Sequence, residues 1–176
     1  TLHHIIGFEN GLYDLDEHKF RDAKPGEYVS MSVKYPFYDP TTAPENVIEK
    51  KNELYHKLSA IFKTKEDLCY ILKMFARCLR GESNKEEVAH FFKGEGSNGK
   101  SLFMDLLRLT LGDYYYTFTY KYFTHEKKDN RDPTLHGAMK KRCVEVMEAN
   151  QQYVFNSDVF KRTTGNDIIK ARTNFD

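Results

Sequence analysis

Short apolar runs broken by turn residues open the chain, and longer stripes at helical spacing follow them. Residues 3–15, HHIIGFENGLYDL, set Glu9-Asn10-Gly11 between two such runs. Asn-Gly accepts positive φ at both central turn positions, so the pattern predicts a β-hairpin. A further extended stretch, Tyr28 to Tyr38, ends at Asp39-Pro40, where proline removes a backbone donor. Residues 1–43 therefore read as a small β-rich segment. Pro44 suits the first turn of a helix, and Val47, Leu54, Leu58, Ile61 and Phe62 form a stripe at roughly helical spacing. Thr64 with Asp67 resembles a capping box. Leu68, Ile71, Leu72, Phe75 and Leu79 then share one face of a second helix, which Gly81 is placed to end. Residues 44–83 thus read as a helical pair, and residues 84–176 carry the chemistry.

That chemistry begins at Val88-Ala89-His90-Phe91-Phe92, an apolar run readable as a buried strand. It leads into Gly94-Glu95-Gly96-Ser97-Asn98-Gly99-Lys100-Ser101, which matches G-x-x-x-x-G-K-[ST]. A helical pattern follows in Leu102, Phe103, Leu106, Leu107 and Leu109, ending at Gly112. Strand, glycine-rich loop and helix are the setting in which this pattern cradles phosphate. Glycines let successive backbone N–H groups converge on phosphate oxygens, and the helix starting near Lys100 points its positive end at the same anion. The pattern predicts that residues 94–101 bind ATP, with Lys100 reaching the β and γ phosphates and the Ser101 hydroxyl ligating Mg²⁺.

Such a loop needs a second strand whose carboxylate handles metal and attacking water. Lys140 to Glu148, KKRCVEVME, is the best match. Side chains alternate faces along a strand, so Val144, Val146 and Glu148 share one side and Glu145 and Met147 the other. Glu148 falls at the C-terminal end of the run, where open α/β sheets place their ligands, and it is assigned the metal-directed or water-activating role. Glu145 is expected to pair with a neighbouring cation. Farther on, Ser157 is placed to cap a short helix over 158–164 that Gly165 ends. Lys161, Arg162, Lys170 and Arg172 concentrate positive charge there, which fits phosphate contacts of low sequence specificity; a solvated helix face with ion pairs is the alternative. Tyr114-Tyr115-Tyr116 offers base stacking, but packing beneath the P-loop helix is the favoured reading.

Composition narrows these readings without replacing them. Among 176 residues, 27 Lys and Arg against 26 Asp and Glu leave a net charge of +1, which excludes a uniformly basic nucleic-acid binder but not a local basic patch. Three cysteines without a CxxC spacing support neither a disulfide framework nor a zinc ribbon. Cys69 and Cys78 fall on opposite sides of one predicted helix. The expected setting is intracellular, with reduced thiols. No apolar run approaches the ~20 residues of a membrane-spanning helix.

Taken together, the blocks resemble the superfamily III helicases, specifically the primase–helicases of large DNA viruses (poxviruses included), phages and mobile elements. Phe8-Glu9-Asn10-Gly11-Leu12-Tyr13-Asp14-Leu15 is similar to the segment that precedes the motor in that family. Gly94 to Ser101 resembles its Walker A loop, and Lys141-Arg142 through Glu148 its Walker B strand. Residues 161–172, KRTTGNDIIKAR, are similar to the block between Walker B and the sensor strand. Glu148 is followed by Ala149-Asn150, where many members carry paired acids, and Asn166 stands where Gly is frequent.

The resemblance implies an α/β fold: a partial P-loop, AAA+-like ATPase core of parallel strands with flanking helices, preceded by a β-rich segment and a helical collar. It implies a DNA helicase that self-associates into a ring, a hexamer, around single-stranded or forked DNA, in the host cytoplasm or at a viral replication site. Lys100 and Glu148 would be its catalytic residues. The sensor strand and arginine finger of that family would lie past residue 176, so the chain is expected to be a segment of a larger replication protein, poorly active alone. Two other readings stay open: a P-loop kinase acting on a small acceptor, and a non-catalytic nucleotide-binding or assembly module.

Overall fold

The computed structural model describes residues 2–62, 64–81, 88–94, 96, 99–124, 133–147 and 156–165. The chain divides into two compact units: Thr1–Arg80 with Phe92–Asp113, and Gly81–Phe91 with Tyr114–Asp176. It is a mixed α/β protein, with one antiparallel and one parallel sheet among the described residues.

The first unit opens with a three-stranded antiparallel meander, β1 (Ile5–Phe8), β2 (Gly11–Asp14) and β3 (Lys19–Arg21). The predicted hairpin is present, and its register pairs Phe8 with Gly11 across the Asn10 turn. Asn10 has a second task. Its side-chain amide accepts from the Phe37 N–H at 2.7 Å and donates to the Phe37 carbonyl at 3.0 Å, imitating a strand neighbour. The Tyr28–Tyr38 stretch runs beside β1 through Val33 N–H to Gly7 O and Glu9 N–H to Tyr35 O, yet forms no regular strand. Phe37 stacks on Phe20 and meets the edge of Phe8, closing an aromatic cluster over the sheet.

Two helices follow, α1 (Glu45–Ile61) and α2 (Lys65–Arg80). Pro44 is the N-cap residue of α1, one position before the helical first turn. Thr64 caps α2 through its hydroxyl, which accepts from the Asp67 N–H at 3.0 Å. Gly81 follows the last turn with φ +62°, a left-handed conformation that suits glycine. The apolar stripes are only partly interior. Leu58, Leu68 and Ile71 are buried, Leu54 and Leu72 are exposed, and Met74 joins the core.

α3 (Lys100–Leu111) completes this unit. Its buried face is Phe103, Leu107 and Leu111, spaced at one helical turn, and Gly112 ends it. Phe103, 1% exposed, shares a cluster with Leu58, Leu68, Ile71 and Met74. The far end of α3 is tied to the extended segment: Asp113 N–H donates to Ser32 O, Ser32 N–H to the Asp113 carboxylate, and Tyr35 OH to Thr110 O. The first 80 residues therefore grip α3 at both of its ends.

In the second unit, β4 (Tyr115–Phe118) and β5 (Cys143–Val146) pair in parallel, with Tyr115 opposite Cys143 and Phe118 opposite Val146. Parallel neighbours need a crossover connection, and the short helix α4 (Pro133–Ala138) lies within it. Phe118, Tyr122 and Phe123 form the core, covered by Tyr116, Ala138 and two residues of α5 (Ser157–Thr164), Val159 and Phe160. Gly137 meets the Tyr116 ring so closely that a Cβ there would lie 2.6 Å from ring carbons. Tyr114 and Tyr115 are buried and Tyr116 is half-buried, so the run packs inward rather than standing exposed.

Candidate functional site

The loop that the sequence assigns to phosphate ends where α3 begins. Gly99 takes φ +85° and ψ 1° as the N-cap residue, a left-handed conformation that glycine adopts without steric cost. The Phe103 N–H then donates to Gly99 O at 3.0 Å, the first intrahelical bond. Gly99 has no side chain to cap the helix, and the first turn of α3 holds no acidic residue. Its leading N–H groups and the positive end of the helix dipole are the features by which a helix start attracts an anion. Lys100 Nζ donates to Gly94 O at 2.9 Å, spanning the loop from its exit to its entrance. Ser101 follows on the exposed side of the first turn.

Gly94, Gly96, Gly99, Lys100 and Ser101 are therefore placed, whereas Glu95, Ser97 and Asn98 lie outside the described residues, as does Glu148. β5 carries the residues just before Glu148, and its faces alternate as expected. Cys143 and Glu145 are half-buried, while Val144 and Val146 are exposed. Glu145 departs from its expected partner: it accepts a short hydrogen bond from the Tyr115 hydroxyl. β4 is the reason, because parallel pairing sets Thr117 opposite Glu145 and leaves Tyr115 on the same face two residues away. Arg142, at the head of β5, stacks over the Tyr114 ring at 4.4 Å, and burial holds its guanidinium below its ordinary pKa.

The segment entering the loop differs from expectation. Val88 to Phe92 is neither a strand nor buried, and Phe91 is 77% exposed. An apolar run becomes a strand only when a ladder accepts its backbone groups, and the parallel sheet among the described residues has two strands, β4 and β5. The apolar side chains are used singly instead. Phe91 packs on Phe160, and Phe92 packs on Phe103.

Lys161 and Arg162 stand exposed in the last turn of α5 and form no ion pair among the described residues. Lys170 and Arg172 lie outside the described residues. The cap of α5 is Asn156 rather than Ser157: its side-chain oxygen accepts from the N–H groups of Asp158 and Val159, both at 3.1 Å. The extra carbon-borne carbonyl of Asn reaches the N2 and N3 amides together, so the helix starts one residue early. Gly165 ends it as expected. The three cysteines are free thiols. Among the described residues no group of three or more His, Cys, Asp or Glu could hold a metal ion, and no helix is long and apolar enough to cross a membrane.

Comparison with known proteins gives this geometry a context. Over 175 residues the chain is 31% identical to "Putative helicase L207/L206" of Acanthamoeba polyphaga mimivirus, covering 96% of this chain. It is 32% identical over 108 residues to "Putative helicase 121R" of Invertebrate iridescent virus 3, covering 61% of this chain. The match to "Putative helicase 184R" of Invertebrate iridescent virus 6 is 32% over 98 residues, covering 56%. The chain is helicase-like. It spans 17%, 11% and 10% of the lengths of those three relatives. No protein-family model matches it.

Proposed function

We propose that this chain carries the ATP-binding element of a superfamily III DNA helicase of the large-DNA-virus type. The observation that supports the reading best is the loop-to-helix junction: left-handed Gly99 at the head of α3, with Lys100 folded back onto Gly94 O at 2.9 Å. A lysine held on a neutral carbonyl has a stronger acceptor in phosphate, because the full negative charge adds Coulombic attraction to a bond that the ammonium already makes. Lys100 would exchange one for the other as the γ phosphate arrives.

The residues present fit a magnesium-bound triphosphate. Ser101 puts a hydroxyl on the first turn, and no acidic side chain in that turn repels the anion. Mg²⁺ there would be held by Ser101, with Glu148 directed at the metal or the water, and would supply charge neutralisation at the phosphates. Gly94 to Ser101 would bind the phosphates, Lys100 would stabilise charge developing on the γ-phosphoryl oxygens, and Glu148 would orient or deprotonate the attacking water. Exposed Lys161 and Arg162, with Lys170 and Arg172, would contact the phosphates of single-stranded or forked DNA. The full protein would work as a hexameric ring in the infected cell.

Steady-state ATP hydrolysis by the full-length protein, with single-stranded DNA or with nucleosides as additive, tests the proposal. The expected result is hydrolysis stimulated by DNA and abolished by Lys100→Ala. Phosphoryl transfer to a nucleoside without a DNA response would instead identify a P-loop kinase.

A further inference from the structure

The end of α1 lies against the phosphate loop. A Cβ built on Gly99 would sit 2.7 Å from Ile61 Cδ1 and 2.8 Å from Ile61 Cγ1, and all three of its nearest atoms belong to Ile61. The isoleucine fills the space beside Gly99, whose φ of +85° is left-handed. The next residue, Phe62, meets Phe103 edge-on at 5.5 Å, while Phe75 stacks on the same ring at 4.4 Å. Phe92, two residues before Gly94, packs on Phe103 as well. The loop exit, Gly99 to Phe103, thus rests on Ile61, Phe62 and Phe75, and Phe92 at the loop entrance packs on the same Phe103 ring.

We propose that Ile61 is a positioning residue for the phosphate-binding loop: it holds the Gly99 peptide in the orientation that presents the first N–H groups of α3 to phosphate. It touches no substrate and acts through Gly99. The contact is close, so truncating residue 61 opens a gap into which the Gly99 peptide can turn. The helical pair N-terminal to the loop would then be mechanically coupled to phosphate occupancy. This inference rests on the nucleotide-binding reading of residues 94–101.

The test uses the full-length protein with Ile61→Ala, the milder Ile61→Val, which removes only the Cδ1 methyl, and Leu58→Ala. Leu58 is buried in the same cluster but is not among the atoms nearest Gly99, so it reports core loss alone. Mg-ATP affinity, KM and kcat are measured, together with amide exchange at residues 99–101 in the nucleotide-free protein. The proposal expects Ile61→Ala to weaken binding and raise KM about tenfold with kcat nearly kept, the pattern of lost uniform binding. Exchange at 99–101 should rise, Ile61→Val should shift the same quantities in the same direction by less, and Leu58→Ala should leave binding and exchange unmoved. Equal behaviour of Ile61→Ala and Leu58→Ala in all these measurements would overturn it; should Ile61→Ala not fold, Ile61→Val that matches wild type does the same. Absence of Mg-ATP binding by the wild type would remove the nucleotide reading instead, and the exchange comparison would still decide whether Ile61 holds the loop.

Discussion

Asp14 shows how far single residues carry local structure. It is buried at the end of β2, 4% exposed. Burial pushes its carboxyl pKa up, but the N–H groups of Glu17 and Asp16 and the Arg21 guanidinium outweigh that and hold it below its ordinary value. Arg21 in turn binds Glu27 through two nitrogens, each at 2.8 Å, and this bidentate bond, joined by the Lys24 N–H, holds Glu27 at about 2. Both carboxyls therefore bind protons less readily folded than unfolded. Their stabilisation is complete above the unfolded pKa, near 4.5 for Glu27, and is lost as pH falls toward about 2. Arg21→Met should lower the thermal midpoint clearly at pH 7 and much less at pH 2.5. Thermal melts of both proteins across that range check it; a deficit that does not shrink with acidification would contradict the triad. This triad was not legible in the sequence, because Asp14, Arg21 and Glu27 are charged residues in turn-rich sequence and only the meander brings them together. The hairpin was legible, since its signal is local, although the turn falls on Glu9 and Asn10 and Gly11 already pairs with Phe8; the grip of Asn10 on Phe37 spans 27 positions and was not.

At the scale of elements, helices were easier to read than their packing. Capping residues and glycines act on their own neighbours, which is why Thr64, Gly81, Gly112 and Gly165 stand at helix ends as expected. Which apolar positions face inward depends on what covers them. Leu54 and Leu72 belong to the predicted stripes yet are exposed, and Met74 takes a core place the periodicity did not assign. The Val88–Phe92 run misled for the same reason: a strand is made by its neighbours in a ladder as much as by its own side chains. α3 carries the most weight, since Phe103 is where α1, α2 and the loop entrance meet. Phe103→Ala should cost about 3–5 kcal/mol, the usual range for emptying a buried phenylalanine site. Chemical denaturation would show it as a lower midpoint at unchanged slope, while a loss under about 1 kcal/mol would mean the ring is not central to that core.

At the scale of the whole molecule, the order of blocks along the chain says more than any one of them. The glycine-rich loop, the β5 strand and the basic α5 region follow one another in the order that the proposed superfamily III reading calls for, and the viral relatives carry helicase names over 96%, 61% and 56% of this chain. Composition contributed little here, for a net charge of +1 conceals the exposed cations of α5. The loop-to-helix junction at Gly99 and Lys100 was legible because its signal is written in contiguous residues. The support of that loop by Ile61 was not, since it joins positions 38 apart through a contact made possible by a missing side chain. Everything proposed about activity depends on the loop holding a nucleotide, and equilibrium titration of the full-length protein with Mg-ATP measures that directly. Saturable binding that Lys100→Ala weakens by about a hundredfold or more, the loss of one strong charge-assisted contact, is the predicted result. No binding by the wild type, or equal binding by wild type and Lys100→Ala, would contradict it.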